Sequence, residues 1–274
     1  MQPATDPWPD RPVFDGVFGA TANPLRLIYM IGAVWRLSQM RPAGVQILEV
    51  GSWCGASALA WGEAIDLYFG GKGKITCVDA WQPYVDLEAN SGRADRDMDA
   101  ALVRGEAFEV FRHNIGFLPA GIDVEIRNGW SGEILPALQP DAYDLVYIDA
   151  DHTYDAVKSD IENGTRLVRP GGIICGDDLE RQAGSLDLSI LNDRPSLDKY
   201  YDADLDVVYH PGVSKAVDEF FGPVSAWSGF WAMQKTPDGW MPLSLEGMAP
   251  HIPRHLHPQS LMGLKALLMQ EGIL

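Results

Sequence analysis

The chain has 274 residues, enough for one α/β domain with additions, and a hydrophobic fraction of 46% supplies a core. Its 38 acidic against 21 basic side chains give a net charge of −17. That balance argues against a duplex nucleic-acid partner, whose affinity comes from Lys and Arg on phosphates, and against an anionic membrane surface. The three cysteines, Cys54, Cys77 and Cys175, are an odd set without CxxC spacing and read as buried, reduced thiols of a cytoplasmic protein. The first residues are Pro-rich and acidic, unlike a secretory signal, and no apolar run is long enough to span a bilayer.

The Pro- and Gly-rich beginning reads as an arm lying on the domain or on a neighbour. Apolar positions Leu27, Ile28, Ile31, Val34, Trp35 and Leu37 then recur at helical spacing over residues 24–40, and Pro42 stops that helix. Residues 45–50 (VQILEV) read as the first strand. They lead through Gly51-Ser52-Trp53-Cys54-Gly55-Ala56-Ser57 into an apolar helix over 58–69. A strand that turns through glycines into a helix brings backbone N–H groups close to a ligand. The turn lacks the full G-x-G-x-x-G of dinucleotide sites and has no P-loop lysine, and an ordinary βα turn would look similar. Glu49, at the strand end, suits a cationic ligand better than a pyrophosphate.

Residues 74–78 form a second strand ending in Asp79, 30 positions after Glu49. An acid there can accept hydrogen bonds from ribose hydroxyls, or merely cap a turn. Trp81 follows, placed to pack on an adenine ring. Residues 82–104 are polar and charged, too long for a plain loop, and read as a mobile cover over a site. A helix over 107–117 carries Phe108, Phe111 and Ile115 on one face, and its His113 reads as a surface or capping residue. A third strand over 122–126 precedes Asn128-Gly129-Trp130-Ser131 and a short helix over 132–138. Trp130 and Ser131 are placed to contact a base, although Ser131 would serve equally as an N-cap.

Residues 144–179 carry two short apolar runs, 145–148 and 172–175, each ending in carboxylates, with a helical pattern between. Asp177 lies 28 positions after Asp149, about one βαβ unit, so the acids Asp149, Asp151, Asp177 and Asp178 meet at neighbouring strand ends. Ligands sit at the carboxyl ends of strands in an open parallel sheet, and a hard divalent cation such as Mg²⁺ gives mutually repelling carboxylates a reason to gather. Irregular residues 180–204 follow as a substrate wall. Residues 205–209 read as a sixth strand, His210 leads a helix through 221, and residues 229–234 read as a seventh strand. The tail carries His251, His255 and His257, which read as a loop rather than a metal site because Pro253 and Pro258 break the helix that would align them. An apolar helix over 261–269 is placed to serve a dimer contact.

Together ILEVGSWCGAS, VDAW and YIDADHTYDAVKSDI…PGGIICGDDL resemble the motifs of class I S-adenosylmethionine-dependent methyltransferases. The last stretch is similar to the macrocin-type sugar O-methyltransferases and the cephalosporin-hydroxylase-like enzymes, with catechol O-methyltransferase more distant. The resemblance spans about residues 45–234. It implies an α/β, Rossmann-like three-layer sandwich whose seven-stranded, mostly parallel sheet has its last strand antiparallel. It implies a cofactor site at Glu49, Gly51, Ser52, Gly55, Ser57 and Asp149, with Asp79 on the ribose hydroxyls and Trp81, Trp130 and Ser131 around the adenine. It implies Mg²⁺ or another divalent cation on Asp149, Asp177 and Asp178, and Asp151 as general base, with His152 chemically just as eligible.

The expected reaction is O-methylation of a small-molecule hydroxyl, on a sugar or another vicinal diol in natural-product or glycan biosynthesis. The partners expected are that acceptor and a second copy of the chain. A nicotinamide-dependent Rossmann oxidoreductase is the alternative, disfavoured by the imperfect glycine pattern and the lack of a Tyr/Lys pair. A metal-independent transferase using His152, and a non-catalytic module that keeps the fold, are two further readings. The expected organisation is an arm and helix over 1–44, a methyltransferase domain over 45–235 with lid insertions near 82–104 and 180–204, and a tail with a helix over 236–274.

Overall fold

The computed structural model describes residues 8–19, 23–41, 43–255 and 262–264. Helix α1 (Pro24–Ser38) begins as its sequence dictates: Asn23 Oδ1 accepts the Leu25 N–H at 3.0 Å, and Pro24 needs no partner at the first helical position. Pro42, the expected stop, lies outside the described residues, as do His257 and most of the expected terminal helix. Strand β1 (Val45–Val50), helix α2 (Ala56–Phe69) and strand β2 (Gly73–Asp79) follow. Residues 82–104 are not wholly irregular, because helix α3 (Arg93–Val103) forms within them, burying Asp95, Ala101 and Leu102. Charged residues fill its exposed face, which is why it looked structureless.

Next come α4 (Glu106–Ile115), β3 (Asp123–Asn128), the one-turn α5 (Ser131–Ile134), β4 (Tyr143–Ile148), α6 (Tyr154–Leu167) and β5 (Val168–Leu179). The expected wall contains a turn of helix, α7 (Ile190–Asp193), and strand β6 (Tyr200–Asp202). Strand β7 (Val207–Tyr209) pairs only with β6, as an antiparallel two-stranded ribbon. The expected sixth strand is therefore not part of the main sheet. Helix α8 (Pro211–Phe221), β8 (Ser225–Trp227), β9 (Gly229–Thr236) and β10 (Gly239–Pro242) complete the described order.

The main sheet has eight strands, ordered β10-β9-β5-β4-β1-β2-β3, with β8 on β9. The five strands β1 to β5 are parallel, and β9 runs antiparallel to β5. Strand alternation divides the core into two layers. Ile47, Leu145, Tyr147 and Ile173 pack with α1, α2 and α4 on one face. Leu48, Val146, Ile148 and Ile174 pack with α6 and α8 on the other. The result is a Rossmann-like three-layer sandwich with an antiparallel edge. Cys54, Cys77 and Cys175 are buried free thiols. Among the described residues no helix is long and apolar enough to cross a membrane.

Candidate active site

A cavity of about 610 Å³ opens at the carboxyl ends of β1, β2, β4 and β5. That size suits a ligand of drug-like dimensions. Its floor starts at the turn after β1. Gly51 has φ +87°, and a Cβ there would sit 1.9 Å from the Asp149 carbonyl oxygen. Only glycine lets the end of β1 run this close to the end of β4, where the Asp149 N–H donates to Val50 O at 2.8 Å. Ser52, Trp53, Ala56 and Ser57 line the cavity beyond it.

Two acids secure this turn from behind and beside. Glu49 is fully buried and does not reach the cavity: its carboxyl accepts Ser52 Oγ–H at 2.6 Å and Trp61 Nε1–H at 3.1 Å. Burial pushes the Glu49 carboxyl up to about 7. Asp79 does line the cavity, and it accepts the N–H groups of Ser52, Trp53 and Trp81 at 2.9, 2.8 and 2.7 Å. Gly55, with φ +83°, faces Phe111 and caps α2 instead of lining the cavity. Trp81 likewise leaves the expected place beside an adenine. It is 5% exposed, donates Nε1–H to Trp53 O, and packs its ring 4.7 Å from both Phe108 and Phe111. A φ of +44° turns its chain path toward the core, a conformation that sequence spacing does not reveal. Trp130 and Ser131 both line the cavity, Trp130 being 41% exposed, with the buried Asp160 of α6 nearby.

The acid cluster occupies the other end. In a regular strand Asp177 and Asp178 would point to opposite faces. Here the pairing of β5 with β9 slips between Gly176 and Leu179, and Asp178 takes φ +60°. This bulge turns both carboxylates toward one cation, Arg26 of α1. Arg26 Nη1 lies 2.7 Å from Asp177 Oδ2 and 2.7 Å from Asp178 Oδ1, and Nη2 lies 2.9 Å from Glu180 Oε1. Tyr147 donates its hydroxyl to Asp149 Oδ2 at 2.9 Å.

His152 completes the arrangement. Its Nε2 lies 3.0 Å from Asp178 Oδ2 and 3.5 Å from Asp149 Oδ1, and its Nδ1 lies 2.8 Å from Asp198 Oδ1. His210, at the start of α8, faces Glu180 at 3.1 Å and Asp178 at 3.8 Å. Burial disfavours the His152 imidazolium, but Asp178 and Asp198 outweigh it and hold the ring protonated well above its usual range. The adjacent acids divide. Burial and then repulsion from Asp178 raise Asp177 well above the carboxylate range, whereas Asp178, though buried, is held well below it by His152, His210 and Arg26. Asp149 is raised, chiefly by burial.

Asp149, His152 and Asp178 each offer one donor atom, all within 4.8 Å of one another, and this set fits a divalent cation. His152 Nε2 is buried and makes no hydrogen bond despite its near neighbours, as an atom facing such a position would. The expected third ligand, Asp177, is instead committed to Arg26 and is not in that set. Asp151 lines the cavity, yet its Oδ1 accepts the Thr153 N–H at 2.8 Å in a turn that starts α6. Arg26, Glu180, Asp198 and His210 were not singled out from the sequence. Glu180 and His210 at least adjoin motifs there; nothing local marks Arg26 or Asp198. Of the histidines set aside as non-ligands, His113 meets Arg11 O at 2.9 Å and His251 meets the buried Glu63 at 2.6 Å.

Residues 48–179 match the family model described as a methyltransferase domain. No curated protein matches the chain by sequence. Among solved structures it is similar to the O-methyltransferase NovP, at 18% identity over 77% of this chain and 79% of that one, with a TM-score of 0.51. It is also similar to the O-methyltransferase from Bacillus cereus in complex with S-adenosylhomocysteine, at 18% identity, 78% and 82% coverage and a TM-score of 0.42. Cofactor-bound Rv0187 from MTB gives 17% identity, 78% and 80% coverage and a TM-score of 0.43. Residues 48–179, which match the methyltransferase-domain model, hold the glycine turn, Asp79 and the acid-tipped strands β4 and β5.

Proposed function

We propose that the chain is an S-adenosylmethionine-dependent O-methyltransferase acting on a hydroxyl of a small molecule, a sugar or another vicinal diol, with a divalent cation such as Mg²⁺. The observation that carries this reading is the donor set of Asp149, His152 and Asp178 at one end of a cavity whose other end is the methyltransferase turn. Gly51, Ser52 and Ser57 would lie along the methionine part of the cofactor. Asp79 keeps lone pairs for ribose hydroxyls, and Trp130 and Ser131 offer a face and an edge for the adenine. The surplus of acids beside the turn suits a sulfonium better than the pyrophosphate of a nicotinamide cofactor.

Methyl transfer to oxygen is an in-line displacement, so oxygen, methyl and sulfur must be aligned and the oxygen must lose its proton. A bound divalent cation would supply Lewis acidity toward the acceptor hydroxyl. Asp149 and Asp178 would hold it, with carboxylate oxygens of the kind Mg²⁺ prefers. Nε2 cannot both bind the cation and take a proton, so with the cation on the two carboxylates alone His152 would accept the proton, Asp198 fixing its ring through Nδ1. It must be neutral to do so, and positive charge placed between Asp149 and Asp178 favours its neutral form. Asp151 is the second candidate for that proton, although one of its oxygens is engaged by Thr153. Tyr147 and Arg26 hold Asp149 and Asp177 in place.

The test is methyl transfer from labelled S-adenosylmethionine to a panel of catechols and sugar diols, with Mg²⁺ and after exhaustive EDTA treatment. Transfer to a diol that stops with EDTA is expected. Transfer confined to amines or thiols would overturn the reading. A second version has its own support: Arg26 already supplies a cation to Asp177 and Asp178. If O-methylation survives EDTA unchanged, the reaction is metal-independent; His152, held protonated in the absence of a cation, must then lose its proton to act as base, and loss of transfer in His152→Gln but not in Asp151→Asn identifies it.

A further inference from the structure

The two insertions over 82–104 and 180–204 meet above the cavity, and their junction is specific. Tyr84, Val85, Asp95 and Met98 line the cavity from one side, Asp198 and Lys199 from the other. Asn90, only 6% exposed, spans the seam. Its Nδ2–H donates to Asp86 O at 3.1 Å within its own insertion and to Ser196 O at 3.0 Å across the seam. Its Oδ1 accepts the Asp198 N–H at 2.9 Å. Two further ties run alongside: Arg194 Nη2–H donates to Ala89 O at 3.1 Å, and Lys199 Nζ meets the buried Asp95 at 2.6 Å. The residue whose backbone Asn90 grips is the one whose carboxylate meets His152 Nδ1 at 2.8 Å. The roof and the reactive end of the cavity therefore share Asp198.

We propose that Asn90 is a positioning residue that couples closure of the two insertions to the active site, holding the Asp198 carboxylate on Nδ1 of His152. This rests on the methyltransferase reading for its meaning but not for its geometry. On this proposal, parting the seam to admit an acceptor would take the Asp198 carboxylate off His152. Closing the seam delivers Asp198 and encloses the cavity in one movement. The proton acceptor is thus ordered only after the acceptor molecule has been captured, which protects the cofactor from unproductive encounters. An asparagine is suited to the task because one side chain provides both the donor for Ser196 O and the acceptor for Asp198 N–H.

The test needs no acceptor molecule. The downfield proton resonance of the His152 Nδ1–H is followed in the full chain with S-adenosylhomocysteine, and amide exchange is measured over residues 194–199. The wild type should show the resonance, and His152→Gln and Asp198→Ala should both remove it. Asn90→Ala should broaden or abolish it and speed exchange over 196–199 by about tenfold or more, the consequence of losing the hydrogen bonds across the seam. Asn90→Asp keeps the acceptor for Asp198 N–H but sets an oxygen against Ser196 O, and should act in the same direction more mildly. S-adenosylhomocysteine affinity should stay within about threefold in both variants, since the turn at Gly51 is untouched. A sharp, unshifted resonance with unchanged exchange in Asn90→Ala and Asn90→Asp overturns the proposal, and so does persistence of the resonance in Asp198→Ala. If the wild type shows the resonance and the variants behave as expected but S-adenosylhomocysteine does not bind, the coupling stands and the methyltransferase reading falls.

Discussion

Arg26→Met removes the guanidinium that joins α1 to the acid cluster while keeping an apolar stem of similar length. In the wild type that side chain is 15% exposed and lies within 2.9 Å of three carboxylates, those of Asp177, Asp178 and Glu180. Breaking a buried ion pair by deleting one partner typically costs about 3–5 kcal/mol, because the remaining charge is left uncompensated. Two features lower the expectation here. Asp177 is already raised well above the carboxylate range and can take up a proton, and His152 and His210 continue to compensate Asp178. We therefore expect a loss of about 3 kcal/mol at pH 7, the lower end of that span. Urea unfolding followed by tryptophan fluorescence, with and without EDTA, measures it. Mg²⁺ should stabilise the variant more than the wild type, because a cation that binds only the folded state adds stability by mass action and here replaces the missing charge. The deficit should shrink as pH falls and the carboxylates facing Arg26 take up protons, Asp177 first and Asp178, held well below the usual range, last. A loss under about 1 kcal/mol, or one equal at pH 7 and at low pH, would refute the view that Arg26 compensates charge at the cluster.

Glu49→Gln tests the buried acid under the turn. The Glu49 pKa is raised from 4.5 to about 7 in the fold, so between those values the folded state holds a proton that the unfolded chain has lost. Stability drawn from this group is thus complete below about pH 4.5 and falls as pH rises toward 7, by about 3 kcal/mol in all. Glu49→Gln should match the wild type near pH 4 and exceed it by up to that amount at pH 8 in urea unfolding; a variant less stable at pH 8 than at pH 4, relative to wild type, contradicts this. Gly51→Ala should cost at least about 2 kcal/mol and abolish calorimetric binding of S-adenosylhomocysteine, since its Cβ would lie 1.9 Å from Asp149 O; unchanged binding would show that the strand ends can separate freely. Trp81→Phe should leave that affinity within about twofold while lowering the unfolding midpoint, whereas Trp130→Ala should weaken binding about tenfold, and the reverse order would place the adenine against Trp81.

What the sequence shows of this protein is whatever depends on neighbours along the chain. Strands β1, β2, β4 and β5 stand out because buried parallel strands are short, nearly continuous apolar runs bounded by glycine or acid, and the carboxylates at their ends follow from the same registration. What it hides depends on distant partners. Residues 205–209 look like a sheet strand, but their actual partner is the three-residue β6, a few positions earlier, and the sheet position beside β5 is taken by β9. Asp177 and Asp178 read as equivalent neighbours, yet a one-residue slip at the end of β5 turns both to Arg26, 151 positions from Asp177, and brings only Asp178 to His152 as well. Asp198 is one acid among many in a charged segment until Asn90, 108 positions distant, fixes its backbone. Both its place after Asp79 and the motif resemblance point Trp81 to the adenine, and the left-handed turn that buries it leaves no mark in hydropathy.

The proposed function requires the cavity between the Gly51 turn and the carboxylates of β4 and β5 to take an S-adenosyl ligand. Isothermal titration of the full chain with S-adenosylhomocysteine, and separately with NAD, tests it most directly. We expect saturable one-to-one binding of S-adenosylhomocysteine that Gly51→Ala abolishes, and no heat above dilution with NAD; binding of NAD without binding of S-adenosylhomocysteine would overturn the reading.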